Sequence, residues 1–308
     1  MSARSHPPAD AVQAGPPHLS DAAFLALREL IERTAGIHLS DAKRALVVGR
    51  LGARLKAVGA DSFEEYGRLV RESEAEFTLM LDRITTNETH FFREPQHFEF
   101  LTRQLVPAWI AAARAKSRER RVRVWSAACS SGEEPFSIAM SLLDALPAHE
   151  GWTIEIEASD LSTRALDKAR RAVWPIERAS EIPPEALRRH MLRGVDAHQG
   201  TMKASEAVRS LIRFTRVNLV GDTLPVQGPF DAIFCRNVLM YFGAAARERT
   251  VGRLVERLAR DGVLFVGHAE SLAGLSTGVR SLAPTVYARA GHRFTSWWWT
   301  TRPSSARR

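Results

Sequence analysis

With 308 residues, 45% of them apolar and 25% charged, the chain has an ordinary globular composition and room for more than one domain. No apolar run reaches the roughly eighteen residues of a membrane span, and the basic, proline-containing start lacks the apolar stretch of a signal peptide, so a cytoplasmic protein is expected. Cys129 and Cys235 are the two cysteines and form no CxxC pair, which argues against a disulfide framework or a zinc site; no metal is expected. The formal charge of +8, with arginine well ahead of lysine, favours acidic partners without choosing among them. Nothing matches a nucleic-acid-binding motif.

Residues 1–18, rich in proline, alanine and small polar residues, read as a disordered segment. From 19 to 94 apolar residues recur at helical spacing, as in Phe24, Leu27, Leu30 and Ile31, with Gly36, Gly59 and Asp61-Ser62 as punctuation, which predicts a small all-α domain. Residues 95–120 read as a linking helix ending in a charged run. From 121 to 294 the pattern changes. Strands are expected at 122–125, 154–159, 212–217, 230–235 and 263–266, with helices after the first, second and fourth; the second helix is placed at 163–173. This alternation predicts a Rossmann-like, doubly wound parallel sheet. Residues 174–211 break it, and short antiparallel strands inserted at about 188–208 are expected there. The end, 295–308, is a Trp/Arg-rich tail.

In open parallel sheets ligands bind at the carboxyl ends of the strands. After the first strand comes Ser126-Ala127-Ala128-Cys129-Ser130-Ser131-Gly132-Glu133-Glu134, whose small residues admit close approach of a ligand. After the second comes Asp160, suited to ribose hydroxyls or to capping the next helix. After the third come Asn218 and Leu219, where Asn218 also fits an ordinary turn. After the fourth come Arg236 and Asn237, with Tyr241 one turn on. A charge directly behind Phe234-Cys235 needs a partner. Four polar strand ends point to a nucleoside-type cofactor. One glycine and two carboxylates in the first loop would repel a pyrophosphate but suit the ammonium end of S-adenosylmethionine. Ahead of the sheet, in Ile84-Thr85-Thr86-Asn87-Glu88-Thr89-His90-Phe91-Phe92-Arg93-Glu94, a helical reading would set Thr89 and Arg93 on one face, with Phe91 and Phe92 packing inward.

The motifs resemble those of the CheR-type chemotaxis receptor methyltransferases: Thr85-Thr86-Asn87-x-Thr89-x-Phe91-Phe92-Arg93-Glu94, Val124-Trp125-Ser126-Ala127-Ala128 through Gly132-Glu133-Glu134-Pro135, Ala158-Ser159-Asp160, Asn218-Leu219, Phe230-Asp231-x-Ile233-Phe234-Cys235-Arg236-Asn237-x-x-x-Tyr241-Phe242 and Gly267-His268-x-Glu270. The likeness runs over roughly residues 20 to 290 in the family's order. It implies a class I S-adenosylmethionine-dependent methyltransferase domain with a small antiparallel β insertion, preceded by the all-α domain. It implies that Asn87, Thr89 and Arg93 contact the cofactor, that Glu133 holds the methionine ammonium and Asp160 the ribose, and that Asn218 and Leu219 flank the adenine. Arg236 and Asn237 would complete the pocket, with Tyr241 near the transferred methyl. Cys129 sits where a smaller residue is common, and the Ser296-Trp297-Trp298-Trp299 tail has no counterpart.

The expected activity is therefore transfer of a methyl group from S-adenosylmethionine to glutamate carboxylates of methyl-accepting chemotaxis receptors, with S-adenosylhomocysteine as product. The alternative is a paralogue acting on another acidic sensory or signalling protein. Arg93 and Tyr241 are the candidates for steering the acceptor carboxylate. On a helix over 41–58, Lys43, Arg50 and Arg54 fall on one stripe that suits acidic receptor helices, with Val48, Leu51 and Leu55 toward the core. The insertion is a candidate edge for a receptor tail peptide. Nothing in the sequence demands an oligomer, and a monomer is expected.

Overall fold

The computed structural model describes residues 18–85 and 88–290. The expectations for Asn87, for the amino-terminal segment before residue 18 and for the Trp297–Trp299 tail lie outside the described residues. The chain divides into two compact units, one from residues 18–33 and 38–85, the other from Thr34–Ile37 and 88–290. Residues 88–94 thus belong to the second unit, so the division falls before the boundary expected at Glu94.

The first unit is helical. Phe24, Leu27 and Ile31 recur at helical spacing on α1 (Asp21–Ala35) and are fully buried. A 3-10 turn (Asp41–Lys43) leads into α2 (Arg44–Val58), which ends on Gly59 at φ 71°, a conformation glycine takes without strain. Val47, Leu51 and Leu55 form its buried stripe; Val48, expected there, is only half-buried. The serine caps Ser62 and Ser73 open α3 (Phe63–Glu72) and α4 (Glu74–Ile84), accepting from Glu65 N and Glu76 N at 3.2 Å each.

The second unit begins with helical chain from Pro95 to Arg114: α5 (Pro95–Phe100), a π-helical turn (Leu101–Leu105) and α6 (Val106–Arg114). Pro107 has no N–H to give and crowds the preceding turn, and the wide π turn just before it relieves that conflict. The linking helix was expected to run to residue 120. There follow β1 (Arg121–Ser126), α7 (Glu133–Ala145), β2 (Thr153–Asp160) and α8 (Thr163–Arg171). Helix α8 is shorter than expected because Val173 opens the insertion. That insertion comprises β3 (Val173–Pro175), a 3-10 segment (Ile176–Glu181), α9 (Pro184–His190), β4 (Met191–Arg193) and β5 (Thr201–Ala204). Its strands form an antiparallel sheet in the order β3-β5-β4, beginning some fifteen residues earlier than the expected 188. After α10 (Glu206–Arg209) come β6 (Ile212–Arg216), β7 (Phe230–Cys235), α11 (Ala244–Glu256) and β8 (Leu258–Val266). An unanticipated hairpin, β9 (Val279–Ala283) and β10 (Val286–Arg289), closes the described chain.

The main sheet has the order β6-β2-β1-β7-β8-β10-β9, parallel from β6 to β8 and antiparallel at β10 and β9. Its central strands are buried on both faces. Val122, Val124, Ala232, Phe234, Val263 and Phe265 pack to one side with Phe98 and Leu101. Trp125, Ile233, Cys235, Leu264 and Val266 pack to the other with Val251 and Leu254 of α11. This strict alternation along nearly all-apolar strands is what covering both faces with helices requires. Phe234 and Phe265 stack at 4.3 Å between ring centroids. Among the described residues no helix is long and apolar enough to cross a membrane.

Candidate active site

Strands β1, β2, β6 and β7 run parallel, so their carboxyl ends share one edge of the sheet. Past β1 the pairing continues through Ala127 N to Phe234 O (2.7 Å) and Cys129 N to Ser159 O (2.9 Å). Ser130 (φ 48°) and Gly132 (φ 99°) then turn the chain into α7. A Cβ on Gly132 would lie 3.0 Å from the Cβ of Ala169 on α8, so the loop passes there only as glycine. Asp160, last residue of β2, holds this loop: Oδ2 accepts from Ser130 N (2.8 Å) and Oδ1 from Ser162 N (2.9 Å). The cap of α8 is Ser162, whose Oγ accepts from Ala165 N (3.1 Å).

Glu133 opens α7 and its side chain is 1% exposed. Oε1 accepts from Trp174 Nε1 (3.1 Å), Arg178 Nη1 (3.0 Å) and Ser131 Oγ (3.1 Å), while Oε2 accepts from Ser131 Oγ (2.8 Å). Arg178 also donates to Thr89 O (2.6 Å) and pairs with Glu181, whose Oε2 accepts from Phe91 N (2.9 Å). The insertion therefore reaches both the β1 loop and the 88–94 segment. That segment is a turn rather than the helix anticipated around Thr89 and Arg93, because Phe92 (φ 51°) and Glu94 (φ 58°) are left-handed. Phe91 is buried as expected, edge-on to Trp174 at 5.0 Å.

At the end of β7, Arg236 is buried with two carboxylates, Glu94 Oε2 and Glu134 Oε2, each at 3.1 Å, and it also donates to the carbonyl of Arg93. The sequence demanded a partner there, and two are present. Asn237 (φ 57°) donates through Nδ2 to Glu94 Oε1 (3.2 Å), and its N–H goes to Glu270 Oε2 (2.7 Å). Glu270 is buried and also accepts from Gly267 N (2.7 Å) and Met240 N (3.1 Å), which fixes the 3-10 turn Leu239–Tyr241. Tyr241 is 37% exposed. Asn218 closes a local turn onto Val220 N (3.2 Å) and donates to Thr34 O (2.6 Å); Leu219 is buried. Arg93 donates to Glu88 O (3.1 Å) and, among the described residues, forms no ion pair.

The amino-acid sequence matches the model of the CheR methyltransferase all-alpha domain over residues 22–85 and that of the CheR methyltransferase SAM binding domain over residues 87–288. The chain belongs to the CheR methyltransferase family. It is 40% identical to the chemotaxis protein methyltransferase of Salmonella typhimurium and 39% identical to that of Escherichia coli, each over 88% of this chain and 91% of the relative. Chemotaxis protein methyltransferase 2 of Pseudomonas aeruginosa is 38% identical over 89% of this chain and 95% of its own. The protein is thus a bacterial-type S-adenosylmethionine-dependent methyltransferase of chemotaxis, with the class I fold and all-α partner domain that the sequence motifs implied.

The donor set fits this cofactor. Glu133, Glu134 and Asp160 gather around the β1 loop, where they bond Ser131, Ser126 and Ser130 N respectively. Three carboxylates, none paired with a lysine among the described residues, disfavour a polyphosphate and favour a cationic amino-acid end and a ribose diol. Burial raises the pKa of Glu133, opposed by its own backbone N–H, Ser131 and Arg178, and raises that of Glu134, opposed by Arg236. At Glu94 burial also works against ionisation, yet Arg236 and the donors from His268 N and Asn237 hold its pKa below the usual carboxylate range.

Sequence reasoning assigned no role to Trp174, Arg178 or Glu181, which lie in the stretch where the strand-helix alternation fails. Glu94 and Glu270 stood in recognised motifs, but nothing in their spacing showed that each would clamp backbone at the ends of β7 and β8. Arg50 and Arg54 are occupied within the first unit. Arg50 donates to Ile84 O (2.5 Å), and Arg54 forks onto Glu76 at 2.7 and 2.5 Å, with Tyr66 Oη on the same carboxylate at 2.9 Å. Lys43 is exposed.

Proposed function

We propose that the protein methylates glutamate carboxylates on the cytoplasmic helices of methyl-accepting chemotaxis receptors, giving glutamate methyl esters. The observation that carries this reading is Arg93. Arg178 and Arg236 are each matched to carboxylates, whereas Arg93, at the same edge of the sheet, forms no ion pair among the described residues. A half-buried cation without a counter-charge is suited to receive an anionic acceptor.

Glutamate has an ordinary pKa of about 4.3 and is already the nucleophilic anion near neutrality, so the site needs no general base. The bound S-adenosylmethionine supplies an activated methyl on a cationic sulfur. The chain's own work is to bind, align and exclude water. The carboxylate of Glu133 would hold the methionine ammonium. Asp160, held against the loop by Ser130 N and Ser162 N, would bond the ribose hydroxyls. Asn218 and Leu219 would border the adenine, Thr89, Asn87, Arg236 and Asn237 would complete the pocket, and Arg93 with Tyr241 would steer the acceptor. A receptor tail peptide can be accommodated as an added strand, because β3 and β4 each pair only with β5.

The test is transfer of labelled methyl to receptor cytoplasmic fragments, scored for release by mild base, which cleaves carboxyl methyl esters and spares N-methyl groups. Base-labile label is expected, and Arg93→Ala should lower kcat/KM by about 10- to 1,000-fold. Base-stable label would overturn the glutamate assignment. Full turnover and full S-adenosylhomocysteine affinity in the Arg93 variant would overturn its role.

A further inference from the structure

We propose that Arg178, carried by the inserted segment, is a positioning residue that makes the insertion a wall of the cofactor site by holding Glu133 and the 89–91 turn in one fork. The inference rests on the reading of Glu133 as the group that holds the methionine ammonium. Three independent bonds support it. Arg178 Nη1 lies 3.0 Å from Glu133 Oε1, Nη2 lies 2.6 Å from Thr89 O, and Nε lies 3.0 Å from Glu181 Oε1, while Glu181 itself receives Phe91 N at 2.9 Å. Trp174 adds a second donor from the same insertion to Glu133 Oε1 and packs between Phe91 and Phe136, at 5.0 and 4.9 Å. A planar guanidinium can satisfy a carboxylate, a carbonyl and a second carboxylate at once; an ammonium cannot match that geometry.

The electrostatic consequence is specific. Glu133 is buried, and burial pushes its pKa up. The charged groups around it are Arg178 and, behind it, Glu181 from the 3-10 segment, Glu134 next along α7, which faces Arg236, and Asp160 at the end of β2. Arg178 is the only cation paired with Glu133 among the described residues. Without it the remaining neighbours are acidic, and Glu133 would take up a proton nearer neutrality. A protonated Glu133 attracts an ammonium group poorly. Arg178 therefore opposes the effect of burial on Glu133, favouring its ionised form, and pins the turn that carries Arg93.

The experiment is calorimetric titration of the full chain with S-adenosylhomocysteine between about pH 6 and 8.5, for the wild type, Arg178→Ala, Arg178→Lys and Glu133→Gln. Arg178→Ala is expected to weaken binding by about 10-fold or more near neutrality, with the loss growing toward acid. Arg178→Lys should restore most of the flat pH profile while binding less tightly than wild type, because charge returns but the fork does not. Glu133→Gln should bind weakly at every pH. A purely structural role for Arg178 would lower affinity equally across the range. Wild-type affinity in Arg178→Ala, or a pH-independent loss, with Glu133→Gln impaired, would overturn the proposal. Wild-type affinity in Glu133→Gln would instead remove the assignment of Glu133, and this proposal with it. Should Arg178→Ala not fold, Arg178→Gln, which keeps a donor without the charge, is read by the same criteria.

Discussion

His97 shows how one buried side chain sets a pH limit on this fold. It is fully buried, with Nε2 2.7 Å from Thr285 Oγ1 and its ring edge-on to Phe265 at 5.4 Å. Burial, reinforced by the nearby charge of Arg236, lowers its pKa from 6.5 to about 4. The unfolded chain therefore binds a proton between these values that the folded chain does not. Its contribution is complete above about pH 6.5 and is lost progressively as pH falls toward 4, amounting to about 2 kcal/mol near pH 5. His97→Gln can still hydrogen-bond but cannot gain the proton, so its melting temperature should fall less than that of the wild type between about pH 7 and 5. Equal falls would mean that other groups dominate. At the same scale, the fork of Arg54 on Glu76 explains why a basic stripe read from helical spacing need not face solvent. Spacing gives the angle around a helix, not what occupies the neighbouring helix.

At the scale of elements, the β1–α7 loop and the 88–94 turn bring the site's polar groups together, and they differ in how far the sequence revealed them. The loop was legible because its small residues, single glycine and acidic pair stand directly between an apolar strand and an amphipathic helix. For the turn the sequence offered only a conditional helical reading, which the structure does not follow. Thr89 and Arg93 are four apart, but Phe92 and Glu94 take positive φ, and they bond Ser137 Oγ and Arg236, both distant in sequence. Arg178 was illegible for a related reason: besides Glu181, three residues on, its partners lie 45 and 89 residues away. The loop makes a clear prediction. Gly132→Ala must accept φ 99° and a contact of 3.0 Å with Ala169, costing roughly 1–2 kcal/mol from the backbone alone. Lower thermal stability together with weaker S-adenosylhomocysteine binding is expected. A loss of stability with unchanged affinity would show that the loop's path does not shape the pocket.

Across the whole molecule the central strands and the all-α unit could be read from periodicity, since both depend on local apolar patterning. The β9–β10 hairpin could not, because its strands are short, β9 is largely exposed, and β10 is placed by pairing with β8. Net charge belongs to this scale too. With +8 on the chain and acidic receptor helices as proposed substrate, receptor methylation should slow as salt rises toward physiological strength and beyond, while cofactor affinity changes less. Lys43→Glu, at an exposed site, should reproduce that selective loss at low salt. Arg54→Glu would not be an equivalent probe, since it sets a second carboxylate against buried Glu76 and tests folding instead.

The two cysteines give the fold a built-in clock. Cys129 sits inside the β1–α7 loop and Cys235 at the end of β7, both buried and both with thiol pKa values driven well above the ordinary range by burial. Neither can meet a thiol-reactive dye unless the backbone around it opens. The rate at which each sulfur is labelled therefore times the opening of its own neighbourhood. Ligand-dependent slowing at Cys129 with no change at Cys235 would separate breathing of the loop from unfolding of the sheet, using no introduced probe.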